Sequence, residues 1–352
     1  MKPTPLSQKL LRPAAASARI EDACGKPIPV FLITGFLGSG KTTLLRKMLD
    51  HPGMGDTALI INEFGAVGLD QMLVQSSIEN VLLMEDGCLC CSVRGDLIDT
   101  IGNLFANVRN GDLPAFSRII IETTGLADPT TIVQDLTAAR GVANRVEIAK
   151  VIVTVDGILG AAQIEEVDEI IAQVAQADIC VVTKCDVVEL DAVTALIQQL
   201  RDLNPAAEIV RNDETTVDYL LKPNGHARTS AAPGRFRCDD VDAKGRVHGR
   251  VQSWSTRREA PLSWSKFRTF LDLLYSTRPA NMLRMKGILH IEGQARPIVV
   301  HGVGAMVNEA TSLEDWPHER PVSEIVVIVT DLPGEAVGQL FDAVVLDGAG
   351  VQ

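Results

Sequence analysis

One glycine-rich segment has the residue types and spacing that bind the phosphates of a nucleotide. The segment Gly35-Phe-Leu-Gly-Ser-Gly-Lys41-Thr42 fits the pattern G-x-x-x-x-G-K-[ST], and it lies between an apolar run, PVFLIT, and a helical pattern, TLLRKML. Glycines let successive backbone N–H groups turn toward phosphate oxygens, and the helix adds the positive end of its dipole. We expect Lys41 to contact the β- and γ-phosphates and the Thr42 hydroxyl to bind Mg²⁺.

An acidic residue at the end of a second strand can complete the Mg²⁺ shell. The apolar run Arg118-Ile-Ile-Ile-Glu122 ends in a carboxylate, and Gly125 follows it after two threonines. This E-x-x-G spacing lets the chain turn sharply below the γ-phosphate, where the Gly125 N–H can donate to an oxygen. We expect Glu122 to bind Mg²⁺; an ordinary carboxylate at a strand end is the alternative.

The tetrapeptide Thr183-Lys184-Cys185-Asp186 indicates which base is bound. It follows the apolar run ADICVV. The Asp186 carboxylate can accept two hydrogen bonds from the edge of guanine, a pattern that adenine does not offer, and the Lys184 stem can lie against the base. Asn is the usual first residue of this motif, so Thr183 departs from it. The motif predicts GTP rather than ATP.

A dense cysteine cluster indicates metal chemistry. Of the seven cysteines, three lie in Cys88-Leu-Cys90-Cys91, between the apolar run NVLLME and a helix predicted over 92–109. Thiolates at a helix N-terminus have lowered pKa values, which favours metal binding. Structural zinc sites use four protein ligands, and the sequence has no second cysteine pair at finger spacing. The pattern indicates an open thiolate site suited to transfer; inert buried cysteines, a redox couple and a structural metal are the alternatives.

The loop INEFGAVGLD after the second apolar run contains Glu63. In P-loop GTPases a loop at this position orders around the γ-phosphate and Mg²⁺. We expect Glu63 to sense Mg²⁺ or a second metal; a solvated loop carboxylate is the alternative. Catalytic roles are assigned to Lys41, Glu63 and Glu122. The sequence shows no obvious general base or arginine finger, so intrinsic hydrolysis is expected to be slow until a partner contributes to catalysis.

Apolar runs rich in β-branched residues alternate with helical patterns from residue 29 to about 210. Such runs, without polar alternation, are typical of strands buried on both faces of a parallel sheet. The predicted fold class is α/β: a P-loop NTPase domain with a mainly parallel sheet, followed by a smaller α+β C-terminal domain. The predicted organisation is a disordered leader over 1–26, the P-loop domain over 27–210, a linker over 211–247 and the second domain over 248–346.

The composition argues against two classes of function, nucleic-acid binding and insertion into a membrane. The 352-residue chain is 46% hydrophobic and has a formal net charge of −12. A broad nucleic-acid-binding face is not expected, because phosphate contacts need clustered Lys and Arg. No apolar run reaches the roughly 18 residues of a membrane span. We expect a cytoplasmic protein without nucleic-acid or membrane partners.

Taken together, the motifs GFLGSGKTTLL, INEFGAVGLD, GCLCCSVRGDL, IIIETTGLADP and TKCD resemble, in order and spacing, those of the CobW-type family of GTP-dependent metallochaperones. The resemblance covers residues 28–190, and the region with RMKGILHI is similar to the family's C-terminal domain. It implies that the chain binds GTP and Mg²⁺ and holds a transition metal, most often zinc, with cobalt in the cobalamin branch. Hydrolysis would then help to release the metal to a client enzyme.

The family's site residues carry over by position. The resemblance implies phosphate contacts from Gly38, Ser39, Gly40, Lys41, Thr42 and Thr43. It implies Mg²⁺ ligands in Thr42 and Glu122, guanine recognition by Asp186, and metal ligation by Cys88, Cys90 and Cys91. In two places the chain departs from the family: Ala66 stands where the family has Glu, and only His226 and His248 lie where many members have a His-rich tract.

One hypothesis links the two sites. GTP–Mg²⁺ orders the Glu63 loop and the segment after Cys91, which follow neighbouring strands of one sheet, and this ordering tightens the thiolate site until hydrolysis loosens it. The alternatives are a nucleotide-gated regulatory protein with a structural metal, cobalt insertion in cobalamin synthesis, and a P-loop kinase of a small molecule, against which the TKCD motif argues.

Overall fold

A computed structural model of the chain describes residues 27–62, 81–83, 89–92, 97–139, 141–222, 246–248, 250–304, 306–307, 310–318 and 320–346. The predicted leader, the Glu63 loop, Cys88 and most of the predicted linker lie outside these residues. The chain divides into two compact units. The first contains the described residues 27–200 and 207–222, and the second contains residues 201–206 and the described residues from 246 onward.

A mainly parallel sheet forms the centre of the first unit. Its strands are β1 (Ile28–Gly35), β2 (Thr57–Asn62), β3 (Val81–Leu83), β4 (Leu89–Ser92), β5 (Arg118–Thr123), β6 (Val146–Asp156), β7 (Ile179–Thr183) and β8 (Glu208–Arg211). Their order is β3-β4-β2-β5-β1-β6-β7-β8, and β3 alone among these strands runs antiparallel to its neighbour. The predicted α/β class is confirmed.

Helices cover the sheet and connect its parallel strands. They are α1 (Lys41–Leu49), α2 (Leu97–Asn110), α3 (Pro129–Ala138), α4 (Gly160–Glu166), α5 (Asp168–Gln176), α6 (Leu190–Leu203) and α7 (Val217–Leu220). Consecutive residues of β1, from Val30 to Ile33, are at most 1% exposed. Both faces of this strand are therefore buried, which explains why its sequence shows no polar alternation.

The first unit extends beyond residue 210, where the linker was predicted to begin. Strand β8 ends at Arg211, and α7 buries Val217 and Leu220 in the core of this unit. The sequence after residue 210 predicts a linker because it is rich in polar residues. A helix of one turn contains too few apolar residues to show a helical period. Between β6 and β7 the chain forms two helices, α4 and α5, with Val167 in extended conformation between them.

The second unit is an antiparallel sheet with helices packed on it, as predicted for a small α+β domain. Its strands are β9 (Arg246–His248), β10 (Val251–Arg258), β11 (Met282–Leu289), β12 (Ile298–Val303), β13 (Met306–Val307), β14 (Thr311–Ser312) and β15 (Ser323–Thr330). The main order is β13-β12-β11-β15-β10-β9, with β14 paired to β12. The helices are α8 (Trp264–Thr277) and α9 (Gly334–Phe341). In the part of the chain that the structure covers, no helix is both long and apolar enough to cross a membrane.

Aromatic side chains form the core between this sheet and its helices. The Phe341 ring lies 5.2 Å from that of Trp254 and 5.4 Å, edge to face, from that of Phe270. Phe270 and Phe341 are fully buried. Helix α9 approaches the sheet closely at Gly338, where an added Cβ would lie 2.6 Å from Trp254 Nε1. Interlocked rings of this kind contribute more to stability than their buried area alone.

We predict that Phe270→Ala destabilises the second unit by about 3–5 kcal/mol, because it removes a fully buried ring and leaves a cavity. All three tryptophans (Trp254, Trp264 and Trp316) belong to this unit, so urea unfolding followed by tryptophan fluorescence reports on it selectively. Leu273→Ala on the same helix is the matched control, because Leu273 is 39% exposed. Equal destabilisation by the two substitutions would contradict the packing described above.

Candidate nucleotide-binding site

The phosphate loop joins the end of β1 to the start of α1. Gly40 caps α1 with a φ of 93°, in the left-handed region that favours glycine. Gly35 packs so closely on β6 that an added Cβ would lie 2.4 Å from the Thr154 carbonyl oxygen. Both glycines of the motif therefore have a steric reason to be present. The loop has the strand–turn–helix context that a phosphate-binding loop requires.

The lysine of the motif, Lys41, folds over its own loop. Lys41 Nζ donates to the carbonyl oxygens of Gly35, at 2.7 Å, and Phe36, at 3.0 Å. The ammonium group is therefore held next to the loop backbone, where a phosphate bound by that loop would meet it.

Thr42 and Glu122 are brought together from different elements. Thr42 is the second residue of α1, Glu122 lies near the end of β5, and the Thr42 hydroxyl donates to Glu122 Oε1 at 3.4 Å. Glu122 is 6% exposed and pairs with Ile33 of β1, so the register of β1 with β5 fixes its position. A hydroxyl and a carboxylate are hard oxygen donors, a set that fits Mg²⁺ with water and phosphate oxygens as its further ligands.

The Gly125 turn lies against the phosphate loop and is hydrogen-bonded to a side chain of α5. An added Cβ on Gly125 would lie 2.7 Å from the Leu37 backbone nitrogen. Gln173 is fully buried on α5, and its Nε2 donates to the carbonyl oxygens of Gly125 and Ala127, both at 3.1 Å. The position of the turn is therefore set by a side chain that sequence reasoning missed. The sequence offered one signal for this role: Gln173 stands at a position that the helical pattern places on the buried, apolar face.

The Thr183-Lys184-Cys185-Asp186 segment is tied directly to the phosphate loop. The Thr183 hydroxyl donates to the Ser39 carbonyl oxygen at 2.8 Å, and the Val155 carbonyl oxygen lies 3.2 Å away. Thr183 therefore has a defined role at the position where Asn is usual. Asp186 is exposed in the middle of a short 3₁₀ turn, Cys185–Val187.

Asp156, the last residue of β6, is a second residue that sequence reasoning missed. Its Oδ2 accepts from Lys184 Nζ at 2.6 Å, and its Oδ1 accepts from the backbone N–H groups of Ile158 and Leu159. Burial opposes ionisation, but the hydrogen bonds from Lys184 and from the two N–H groups outweigh it and hold the pKa of the Asp156 carboxyl below its ordinary value.

Ser92, the predicted first residue of the helix after the cluster, lies with Cys90 and Cys91 in a strand, so that prediction was wrong. Leu89–Ser92 form β4, which pairs with β2 and β3, and α2 begins at Leu97. Cysteine and leucine are apolar enough for a strand between two others, and the sheet pairing decides the local structure. Cys88 and Glu63 lie outside the described residues. Within the described ranges, no group of three or more His, Cys, Asp or Glu residues is arranged to hold a metal.

The fold and the loop geometry define a P-loop nucleotide-binding protein. Residues 29–211 match the family described as "CobW/HypB/UreG, nucleotide-binding domain", and residues 251–345 match the "Cobalamin synthesis protein cobW C-terminal domain". The chain belongs to the CobW family, as the motifs indicated.

Several characterised proteins are similar over nearly the whole chain. The zinc chaperone YjiA of Escherichia coli is 30% identical over 325 residues, which are 90% of this chain and 98% of the relative. The zinc chaperone CobW of Pseudomonas aeruginosa is 29% identical over 344 residues, 88% of this chain and 89% of the relative. The crystal structure of the Zn(II)-bound YjiA GTPase from E. coli superposes with a TM-score of 0.71 at 29% identity, covering 91% of this chain and 99% of that one.

We predict that Gln173→Leu destabilises the first unit by about 1–3 kcal/mol, because two buried carbonyl groups lose their donor. The change should lower the midpoint of that unit's transition in scanning calorimetry. Gln163→Leu is the control, since Gln163 is partly exposed and Gln173 is not. A wild-type midpoint for Gln173→Leu would show that Gln173 does not anchor the turn.

Proposed function

We propose that the chain is a GTP-hydrolysing metallochaperone. It binds GTP with Mg²⁺ at the phosphate loop, holds a transition metal at Cys88-Leu-Cys90-Cys91, and transfers that metal to a client metalloprotein. Zinc is the cargo that the names of the relatives favour, and Co²⁺ is the alternative cargo. The cytoplasm is the expected compartment, because free thiolates persist as metal ligands under reducing conditions.

The register of the parallel sheet is the observation that carries this proposal. Strand β2 lies between β4, which contains Cys90 and Cys91, and β5, which contains Glu122. Ile61 of β2 pairs with Glu122 on one side and with Ser92, the neighbour of Cys91, on the other. Two strand spacings amount to about 10 Å. The proposed metal motif and the proposed Mg²⁺ ligand therefore lie at one level of one sheet.

In this proposal the segment that follows β2 links the two sites. Asn62 ends β2, and Glu63 follows it directly in the chain. The segment leaves the sheet at the end of β2, between β4 and β5, and we propose that it contacts both a γ-phosphate–Mg²⁺ group and the cysteine motif. Its ordering by GTP would couple the two, and hydrolysis would release the coupling.

The site residues take the following proposed roles. Gly35, Gly38, Ser39, Gly40, Lys41, Thr42 and Thr43 bind the phosphates, and the Gly125 N–H contacts the γ-phosphate. Thr42 and Glu122 hold Mg²⁺, which would neutralise charge on the phosphate oxygens. Thr183, Lys184 and Asp186 bind guanine, Lys41, Glu63 and Glu122 take part in catalysis, and Cys88, Cys90 and Cys91 ligate the cargo. Intrinsic turnover is slow until the client or another partner contributes.

Base specificity gives the first test. Asp186→Asn should weaken GTP binding about 10- to 100-fold, because two charge-assisted hydrogen bonds are lost. The same substitution should improve binding of XTP, since xanthine has a carbonyl oxygen where guanine has an amino group. Titrations with fluorescent nucleotides measure both effects. Asp191→Asn, at an exposed acidic residue nearby in the chain, is the control. Unchanged GTP affinity in Asp186→Asn would refute the assignment of the base site.

Metal binding gives the second test. Anaerobic titration with Zn²⁺ and Co²⁺ should show tighter binding in the presence of GTP–Mg²⁺ than with GDP, and Cys90→Ser should abolish that binding. Cys238→Ser, outside the motif, should leave it unchanged. Metal affinity that does not respond to the nucleotide would contradict the chaperone proposal. Unfolding of the first unit on metal removal would support a structural metal instead.

A further inference from the structure

Asp156 has two separate tasks on its two carboxylate oxygens. Oδ1 accepts from the N–H groups of Ile158, at 2.8 Å, and Leu159, at 3.3 Å, and so fixes the turn after β6. Oδ2 accepts a hydrogen bond from Lys184 Nζ at 2.6 Å, and no other described residue donates to it. The carboxylate is thus held rigidly by its own turn and offers one oxygen to the lysine.

Burial distinguishes this ion pair from an ordinary surface pair. The Asp156 side chain is 2% exposed, whereas that of Lys184 is 40% exposed. Exposed pairs contribute little, because both side chains are mobile and solvated. Here one partner is immobile and desolvated, so the pair holds the lysine stem in a single direction. A stem that is fixed in advance does not have to be ordered when a ligand binds.

The backbone around Lys184 needs such an anchor. Lys184 has a φ of 55°, in the left-handed region that costs energy for a residue with a Cβ. The Gly157 N–H donates to the Thr183 carbonyl oxygen at 2.9 Å, and an added Cβ on Gly157 would lie 2.5 Å from that oxygen. The turns after β6 and β7 are therefore packed together at the residue where the base-binding motif begins.

We infer that Asp156 is the positioning residue for guanine-nucleotide binding: through Lys184 it fixes the stem against which the base stacks, without touching the nucleotide itself. This inference rests on the proposed base site. It assigns part of the nucleotide affinity to the end of β6, a strand that none of the sequence motifs includes.

The test compares Asp156→Asn, Lys184→Met and the double variant of the full chain. Asn keeps an oxygen for the Ile158 and Leu159 N–H groups but turns its amide N–H groups toward the ammonium of Lys184. Asp156→Asn should weaken binding of fluorescent GDP about tenfold. It should raise the KM for GTP while leaving kcat nearly unchanged, and it should leave competition by inorganic pyrophosphate unchanged, because the phosphate loop is intact.

The double variant separates positioning from general destabilisation. If Asp156 acts through Lys184, GDP should bind to the double variant no more weakly than to Lys184→Met alone. Additive losses, or wild-type GDP affinity in Asp156→Asn, would overturn the inference. Asp178→Asn is the matched control: Asp178 is a buried carboxylate at the opposite edge of the same strands, where it accepts from the Val151 N–H. It should leave GDP affinity unchanged.

Wild-type protein in the same titration tells the two proposals apart. If the wild type binds GDP and Asp156→Asn binds it equally well, the positioning role fails and the proposed function stands. If the wild type binds no guanine nucleotide, both fail. If Asp156→Asn does not fold, Lys184→Met provides the second measurement, because it keeps the stem but removes the group that Asp156 anchors. Wild-type GDP affinity in that variant would overturn the inference.

Discussion

Parallel pairing of β5, β1, β6 and β7 is the constraint on which the rest of the candidate site depends. Because these strands run in one direction, their carboxyl ends meet at one edge of the sheet, and every loop that leaves this edge starts within a few strand spacings of the others. The pairings of Ile33 with Glu122 and of Asp156 with Thr183 set the levels at which these loops begin. A shift of one residue in either register would turn the functional side chains to the other face.

Side-chain hydrogen bonds then hold the loops against one another at this edge. Thr183 connects the base motif to Ser39 of the phosphate loop, Gln173 connects α5 to the Gly125 turn, and Asp156 connects the end of β6 to Lys184. Each bond joins elements that are distant in sequence and lies in a buried or half-buried setting. Such contacts restrict loop movement before any ligand binds, which lowers the entropic cost of ordering them around it.

The parts of this arrangement that local rules govern could be predicted from sequence. The phosphate loop requires glycines and a lysine at fixed spacing, and the buried strands consist of uninterrupted runs of apolar, largely β-branched residues. Both features could therefore be predicted from the sequence. Gln173 and Asp156 were missed because their roles come from partners about 30 to 50 residues away in the chain, which no period reveals. Cys90 and Cys91 were assigned to the wrong local structure for a related reason: pairing with β2 and β3, not the neighbouring helix, determines their conformation.

The central claim is that nucleotide binding and metal binding are coupled. Because of thermodynamic linkage, this coupling can be measured through the affinity for the nucleotide. If GTP tightens the cysteine site, the metal must tighten GTP binding by the same factor. The direct measurement is the affinity of the wild-type chain for a non-hydrolysable GTP analogue with Mg²⁺, under anaerobic conditions, with and without saturating Zn²⁺. The account predicts tighter binding of the analogue with Zn²⁺ and no such effect on GDP. Equal affinity for the analogue in both conditions would contradict it.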